Sequence, residues 1–294
     1  MVIVRLRGGL GNQLFQFAAG SALAQFHKVA FKLDLYFYKK HPFRTFDLPF
    51  LNIPVQEATR DEVHIFTGNN PVIRYLNKRE NYFHCPKVCA QPHYHYYEDF
   101  FNLPSDIYLS GYWQSERYFR SLQTELTKWY SPKNELDTRS KELVSQMNET
   151  ASVSLHVRRG DYTADSIFGF VPVDYYKQAI QKIQTHVADV RFFVFSDDLE
   201  WVKKNISVPN AIFVDHNKGA DSYRDMVLMS HCYHNIIANS TFSWWGAWLN
   251  PNPDKMVIAP KVWFNKPYNN NPNAVYPGRY YNTKDLIPER WIRL

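Results

Sequence analysis

The sequence is poor in the residues on which several architectures depend. Its three cysteines, Cys85, Cys89 and Cys232, are too few and too irregular for a disulfide framework. Cys85 and Cys89 also lack the second pair of a structural zinc pattern, so cysteine usage suits a reducing compartment. No stretch reaches the roughly 18 unbroken apolar residues of a membrane-spanning helix. No Asp-x-Asp occurs, which removes the usual carboxylate cradle for a divalent ion, and no metal site is expected. Gly-x-Ser-x-Gly and His-Glu-x-x-His are both missing, against the common serine hydrolase and metalloprotease layouts. Lys and Arg form no dense basic run, so nucleic acid is not an expected partner.

What is present describes a globular chain. Of 294 residues, 45% are apolar and 21% charged, with 17 Pro and 11 Gly spread along the length, enough to build a core and too apolar for global disorder. A net charge of +6 favours phosphate-bearing partners and predicts loose, peripheral contact with an anionic membrane.

Residues 2–6 alternate as a strand, Gly8, Gly9 and Gly11 make a turn, and a helix follows. Leu14, Phe15, Ala18, Ala19, Ala22, Leu23 and Phe26 share one helical face, while Gln13, Gln16 and Gln25 interrupt the apolar run. The segment therefore reads as an amphipathic helix behind a strand rather than as a signal peptide cleaved after Ala22-Leu23-Ala24, and the expected location is the cytosol. Residues 36–135 show poor periodicity and many aromatics, as in His93-Tyr94-His95-Tyr96-Tyr97. Such a segment suits either a sugar-binding surface or ordinary aromatic packing.

From residue 150 the pattern becomes regular. It predicts strands at 152–157, 191–195, 211–214 and 235–238, helices at 174–186, 199–204, 223–232 and 243–249, and one more strand at 255–259. A further helix is expected within 133–148. This alternation predicts an α/β chain with a parallel, doubly wound sheet in its C-terminal half. The expected division is 1–149, 150–265, and a tail, 266–294, that crosses back.

Ligands of such sheets bind beyond the carboxyl ends of the strands. One strand ends in His156-Val157-Arg158-Arg159-Gly160-Asp161-Tyr162, where two guanidiniums suit a diphosphate unless they merely pair with Asp161. Another ends in Phe195-Ser196-Asp197-Asp198, where a carboxylate can accept two bonds from a guanine edge, although Asp197 with Glu200 also reads as a helix capping box. Asn239-Ser240-Thr241-Phe242-Ser243-Trp244-Trp245 offers a hydroxyl-rich helix start, which serves as a cap or as a diphosphate site, and its tryptophans read as core. Gly8-Gly9-Leu10-Gly11-Asn12-Gln13 matches neither nucleotide fingerprint, and offers close backbone approach plus the Asn12 amide.

Together these segments, in this order and spacing, resemble the alpha-1,2-fucosyltransferase family, glycosyltransferase family 11. Gly246-Ala247, Asp225-Met226, Leu228-Met229 and Cys232-Tyr233-His234 are similar to the same family. The resemblance implies a GT-B-like fold of two Rossmann-type halves and an inverting, metal-independent transfer of L-fucose from GDP-β-L-fucose to O2 of a terminal β-galactoside. It implies no cofactor beyond the donor substrate. By the same resemblance Arg158 binds the β-phosphate, Asp197 reads guanine, Ser240, Thr241 and Ser243 line the diphosphate, and Asn12 faces the reaction centre. The chain looks like a bacterial member acting in surface glycan synthesis. Base candidates for the acceptor hydroxyl are His156 and Asp161, with the departing diphosphate as a third. The rival expectations are a fucosyltransferase acting on peptide or chitin-type oligosaccharide, and a non-catalytic sugar- or nucleotide-binding protein.

Overall fold

Val2, Ile3 and Val4 are fully buried, the mark of a strand covered on both faces, and Val2–Arg5 forms β1. The computed structural model describes residues 1–68, 85–160, 169–264, 275–276, 279–280 and 282–294. The chain divides into two compact units, Met1–Ser131 with Pro267–Pro288, and Pro132–Lys266 with Glu289–Leu294.

In the first unit β1 is followed by α1 (Leu10–His27), β2 (Phe31–Asp34), α2 (Tyr36–Lys40), α3 (Arg60–Thr67), β3 (Val88–Ala90), β4 (Ile107–Ser110) and α4 (Gln123–Trp129). The four strands form a parallel sheet in the order β2-β1-β4-β3. Helix α1 starts four residues before the apolar stripe does, and over residues 10–24 it is not amphipathic in place: Gln13 and Gln16 are fully buried along with the stripe from Leu14 to Leu23, while Gln25 and Phe26 in its last turn are exposed. The Gln13 amide is satisfied, donating to the carbonyls of Gly8 and Thr45 and accepting from the Asp47 amide. Gln16 accepts from the Arg7 amide on Oε1, whereas its buried Nε2 has no partner among the described residues, so burying it carries a cost. The helix stops at Lys28, whose φ of +55° is left-handed.

The aromatic segment that gave no periodicity is, in large part, core. Phe100, Trp113 and Tyr118 are completely buried, with Trp113 and Tyr118 edge to face at 5.6 Å and Phe100 4.6 Å from Tyr118. For these three rings ordinary packing is the answer.

The second unit contains α5 (Thr138–Asn148), β5 (Ala151–Val157), α6 (Val173–Gln184), β6 (Val190–Ser196), α7 (Leu199–Asn205), β7 (Ala211–Val214), α8 (Tyr223–His231), β8 (His234–Ile236), α9 (Thr241–Leu249) and β9 (Val257–Ala259). The chain then contributes a short antiparallel ribbon, β10 (Val275–Tyr276) with β11 (Arg279–Tyr280), to the first unit, and β12 (Ile292–Arg293) to the second. The six-stranded parallel sheet runs β12-β9-β8-β5-β6-β7. Alternation along β6 shows the double winding directly. Phe192 and Val194 pack with Tyr176, Ile180 and Ile183 of α6, whereas Phe193 and Phe195 pack with Leu143 and Met147 of α5 and Leu228 of α8.

That second core moves the division between the units. Helix α5 belongs with the sheet it covers, so the second unit begins at Pro132 and not near residue 150. The architecture is α/β with a parallel sheet in each half, the GT-B-like class expected. Among the described residues no helix is long and apolar enough to cross a membrane.

Candidate active site

The register of the second sheet decides which loops meet. Val157 pairs with Ser196, and Leu155 pairs with Ile236, so the residues leaving β5 run beside those leaving β6 on one side and β8 on the other. Arg158 follows β5 directly, and its Nη1 lies 3.0 Å from Asp197 Oδ2. The Asp197 carboxylate also accepts the backbone N–H of Arg159 on Oδ1 at 2.8 Å and that of Gly160 on Oδ2 at 2.9 Å. A Cβ on residue 160 would stand 2.6 Å from Oδ2, so this close approach requires glycine. Three donors converge on one carboxylate, and the guanidinium they hold is still about one third exposed, with a side-chain accessibility of 32%.

The two arginines do not act as a pair. Arg159 stacks on the Trp201 ring at 3.8 Å, faces Phe170 at 4.9 Å, and lies 3.6 Å from Asp198. Successive side chains leave a strand on opposite faces, which separates the two guanidiniums. Arg159 is thus committed to aromatic rings, while Arg158 pairs with Asp197 and is the more exposed of the two. Their carboxylate partners among the described residues are Asp197 and Asp198; Asp161 lies outside the described residues. The capping reading of Asp197 is corrected by one position: Asp198 caps α7 by accepting from Trp201 N at 3.1 Å, while Glu200 pairs with Lys203.

His156 sits two residues before Arg158 on the same strand face, buried, with its ring 6.0 Å from Phe242. Burial first, and the Arg158 charge second, push its pKa down to about 3, so the imidazole is neutral and a weak proton acceptor.

Helix α9 begins at Thr241, two residues earlier than its apolar pattern suggests, because Ser240 caps it by accepting from Phe242 N at 3.3 Å. Ser243 is buried and donates to the Ser240 carbonyl, so both serine hydroxyls serve the helix start, whereas Thr241 is half-buried at its first position. Trp244 and Trp245 are fully buried, as their core reading requires. In the first turn of α8, Asp225 is half-buried, with Asn217 Nδ2 donating to it at 2.8 Å. Desolvation raises its pKa to about 7, a property its sequence neighbourhood does not betray.

In the first unit the turn after β1 passes through Gly8, whose φ of +81° is left-handed. Its carbonyl accepts from Gln13 Nε2 and from the Tyr38 hydroxyl. The Asn12 side chain accepts from Gln114 Nε2 at 2.8 Å, and the Tyr94 hydroxyl donates to Gln114 Oε1. Sequence reading misses Gln114 altogether and sees Tyr94 only as one ring of the aromatic segment. The only hint is Gly111 just after β4, where a Cβ would meet Gln91 at 2.6 Å. Among the described residues no three His, Cys, Asp or Glu side chains are grouped to hold a metal ion.

The family model described as Glycosyl transferase family 11 matches residues 1–282. An alpha-1,2-colitosyltransferase of Escherichia coli is 35% identical over 100% of this chain and 99% of its own length. The O-antigen biosynthesis glycosyltransferase WbnK of Escherichia coli is 32% identical, covering 88% of this chain and 93% of itself. The galactoside 2-alpha-L-fucosyltransferase Sec1 of Mus musculus is 24% identical over 94% and 72%. Among solved structures, the fucosyltransferase NodZ from Bradyrhizobium aligns with a TM-score of 0.52 at 16% identity, over 85% of this chain and 93% of that one. That likeness speaks to the fold alone.

Proposed function

The chain belongs to glycosyl transferase family 11, and from that premise we propose that it transfers L-fucose from GDP-β-L-fucose to O2 of a terminal β-galactoside, with inversion and without a metal ion, in the making of a surface glycan. The observation that carries the reading is Arg158, a partly exposed guanidinium held by Asp197 at the carboxyl end of the parallel sheet. As the sugar leaves with oxocarbenium character, negative charge grows on the β-phosphate, and a fixed guanidinium stabilises it without reorganising. The amino end of α9 adds the positive end of its dipole; Ser243 spends its proton on the Ser240 carbonyl, whereas Ser240, which only accepts in its cap, and Thr241 keep hydroxyl protons for a phosphate.

Asp197 already takes three donors from residues 158–160, so in this reading its main work is to hold Arg158, and one acceptor position on Oδ1 is left for the base. A neutral His156 forms a wall of the site; the proton of the acceptor hydroxyl goes to Asp161 or to the departing diphosphate, and Asp161→Asn separates these two.

A second donor is favoured by one finding, the 35% identity to a colitosyltransferase. Colitose lacks the 3-hydroxyl of fucose, so the two donors differ by one polar group. The test is product formation from GDP-fucose and GDP-colitose with lactose as acceptor, with and without EDTA, and with GDP-mannose as control. EDTA-resistant fucosylation at O2 is the expected result. Faster transfer from GDP-colitose would reassign the donor, and tight binding of GDP-fucose with no product from either donor would make the protein a binding module.

A further inference from the structure

The first unit contains a strained turn that serves one side chain. Trp113 has a φ of +54° although it is bulky and fully buried, a strained conformation that persists only where its surroundings impose it. Here they do. The buried Gln91 Oε1 accepts the amides of both Tyr112, at 2.8 Å, and Trp113, at 3.2 Å, and so clamps the turn that leaves β4. The next residue, Gln114, is buried at 4% exposure, and its two amide ends are used separately. Oε1 accepts the Tyr94 hydroxyl proton, and Nε2 donates to Asn12 Oδ1.

These bonds have a consequence for polarity. A tyrosine hydroxyl has one proton; once Gln114 has accepted it, only the NH₂ end of Gln114 is left to meet Asn12. Asn12 must then receive that bond on its oxygen, which leaves its own NH₂ as the end available to a ligand. Asn12 Nδ2 lies against Gly8, where a Cβ would come within 2.5 Å of it, so the left-handed glycine also makes room for the amide.

We propose that Gln114 is a positioning residue that holds Asn12 with its NH₂ group toward the substrate, making Asn12 a hydrogen-bond donor to an oxygen of the transferred sugar or of the acceptor. The proposal rests on the transferase reading and on the place that reading gives Asn12 at the reaction centre. It gives Asn12 no role as the base for the acceptor hydroxyl, because a neutral amide is too weakly basic to take a proton.

Gln114→Glu tests it, since a carboxylate of the same size still accepts from Tyr94 but forces the Asn12 amide to turn over. The expected result is a kcat reduced roughly 100-fold with the KM for GDP-fucose within about threefold of wild type, alongside a lowered thermal midpoint because a carboxylate is buried at this position. Asn12→Ala loses a similar factor, and adding Gln114→Glu to Asn12→Ala causes no further loss, which a merely structural role for Gln114 would not produce. Unchanged turnover in Gln114→Glu overturns the proposal, as does an equal loss in both backgrounds. Should Gln114→Glu fail to fold, Tyr94→Phe, which removes a single hydroxyl, is read through the same cycle. Full turnover in Asn12→Ala, or a wild-type chain that transfers nothing, defeats the underlying reading and the proposal with it, and either result is distinct from a loss confined to Asn12→Ala.

Discussion

At the carboxyl ends of their sheets the two units hold their candidate residues by different physical means. The second uses full charges: Arg158, the Asp197 carboxylate and two backbone amides. The first uses neutral amides, with Gln13, Gln16, Gln91 and Gln114 each tying a side chain or a turn in place. A charged brace suits a ligand that carries charge, because the guanidinium keeps its attraction for a phosphate after pairing on one side. Neutral amides suit hydroxyl-bearing ligands, since they fix donor and acceptor directions without desolvating an ion.

The largest effect should come from breaking the charged half. Arg158→Ala is expected to lose roughly 10²–10³ in turnover at saturating donor, measured as GDP release, while the unfolding midpoint shifts little. Arg158→Lys keeps the charge but not the planar fork and should recover only part of the loss. Near-normal turnover in both variants would remove the phosphate-binding role.

Asp197→Asn tests the brace itself. It replaces one acceptor oxygen by an NH₂ that faces the donors of residues 158–160, so turnover should fall roughly 10–100-fold with Arg158 intact. If Asp197 instead serves chiefly to read the base, the variant will lose its preference for GDP-linked over ADP-linked donor, and that competition assay decides between the two roles.

In the neutral half, Gln91→Ala removes the acceptor of the buried Trp113 amide and of the half-buried Tyr112 amide and frees the left-handed Trp113. A loss of about 1–3 kcal/mol in urea unfolding is expected. A variant as stable as wild type would show that the turn holds its shape without the clamp.

The smallest effect in the wild type is its pH dependence, because two desolvated groups, the buried His156 and the half-buried Asp225, oppose each other. His156 binds its proton in the unfolded chain near pH 6.5 and in the folded chain only near 3, so its contribution to stability is present above pH 6.5 and declines as pH falls toward 3. Asp225 does the reverse: its pKa of about 7 lies above the ordinary 3.8, so the folded state holds the extra proton and loses stability as pH rises from about 4 to about 7. Asp225→Asn should therefore stabilise the protein at pH 8 relative to wild type and steepen the rise of stability between pH 4 and 6.5, as followed by denaturant midpoints. Equal midpoints at pH 8 would show that Asp225 is ionised without cost.

Legibility differed between the halves for a physical reason. Strands β5 and β6 are seven residues each, β-branched and aromatic, and helices of ordinary length separate the strands, so the second sheet was readable. Strands β2, β3 and β4 have four, three and four residues, too short for alternation to register, and they are separated by aromatic loops. Helix α1 was recognised as a helix but misjudged in burial, because glutamine in a sequence reads as a surface residue until its hydrogen-bond partners are known. The candidate residues at strand ends were visible because position after a strand is a local property. Gln114, 102 residues from the Asn12 it binds, had no local signal at all.

Sequence alone carried the α/β class, the strand-end positions of Arg158 and Asp197, the place of Asn12 at the glycine turn that opens α1, and the lack of an Asp-x-Asp cradle. Each of these follows from neighbours along the chain. Tertiary structure alone decided that Asp197 meets Arg158 while Asp198 turns to cap α7, that Arg159 is committed to Trp201, and that Gln114 orients Asn12. Those pairings depend on the parallel register of β5 with β6 and on a turn strained at Trp113, and register and strain exist only once distant segments have packed.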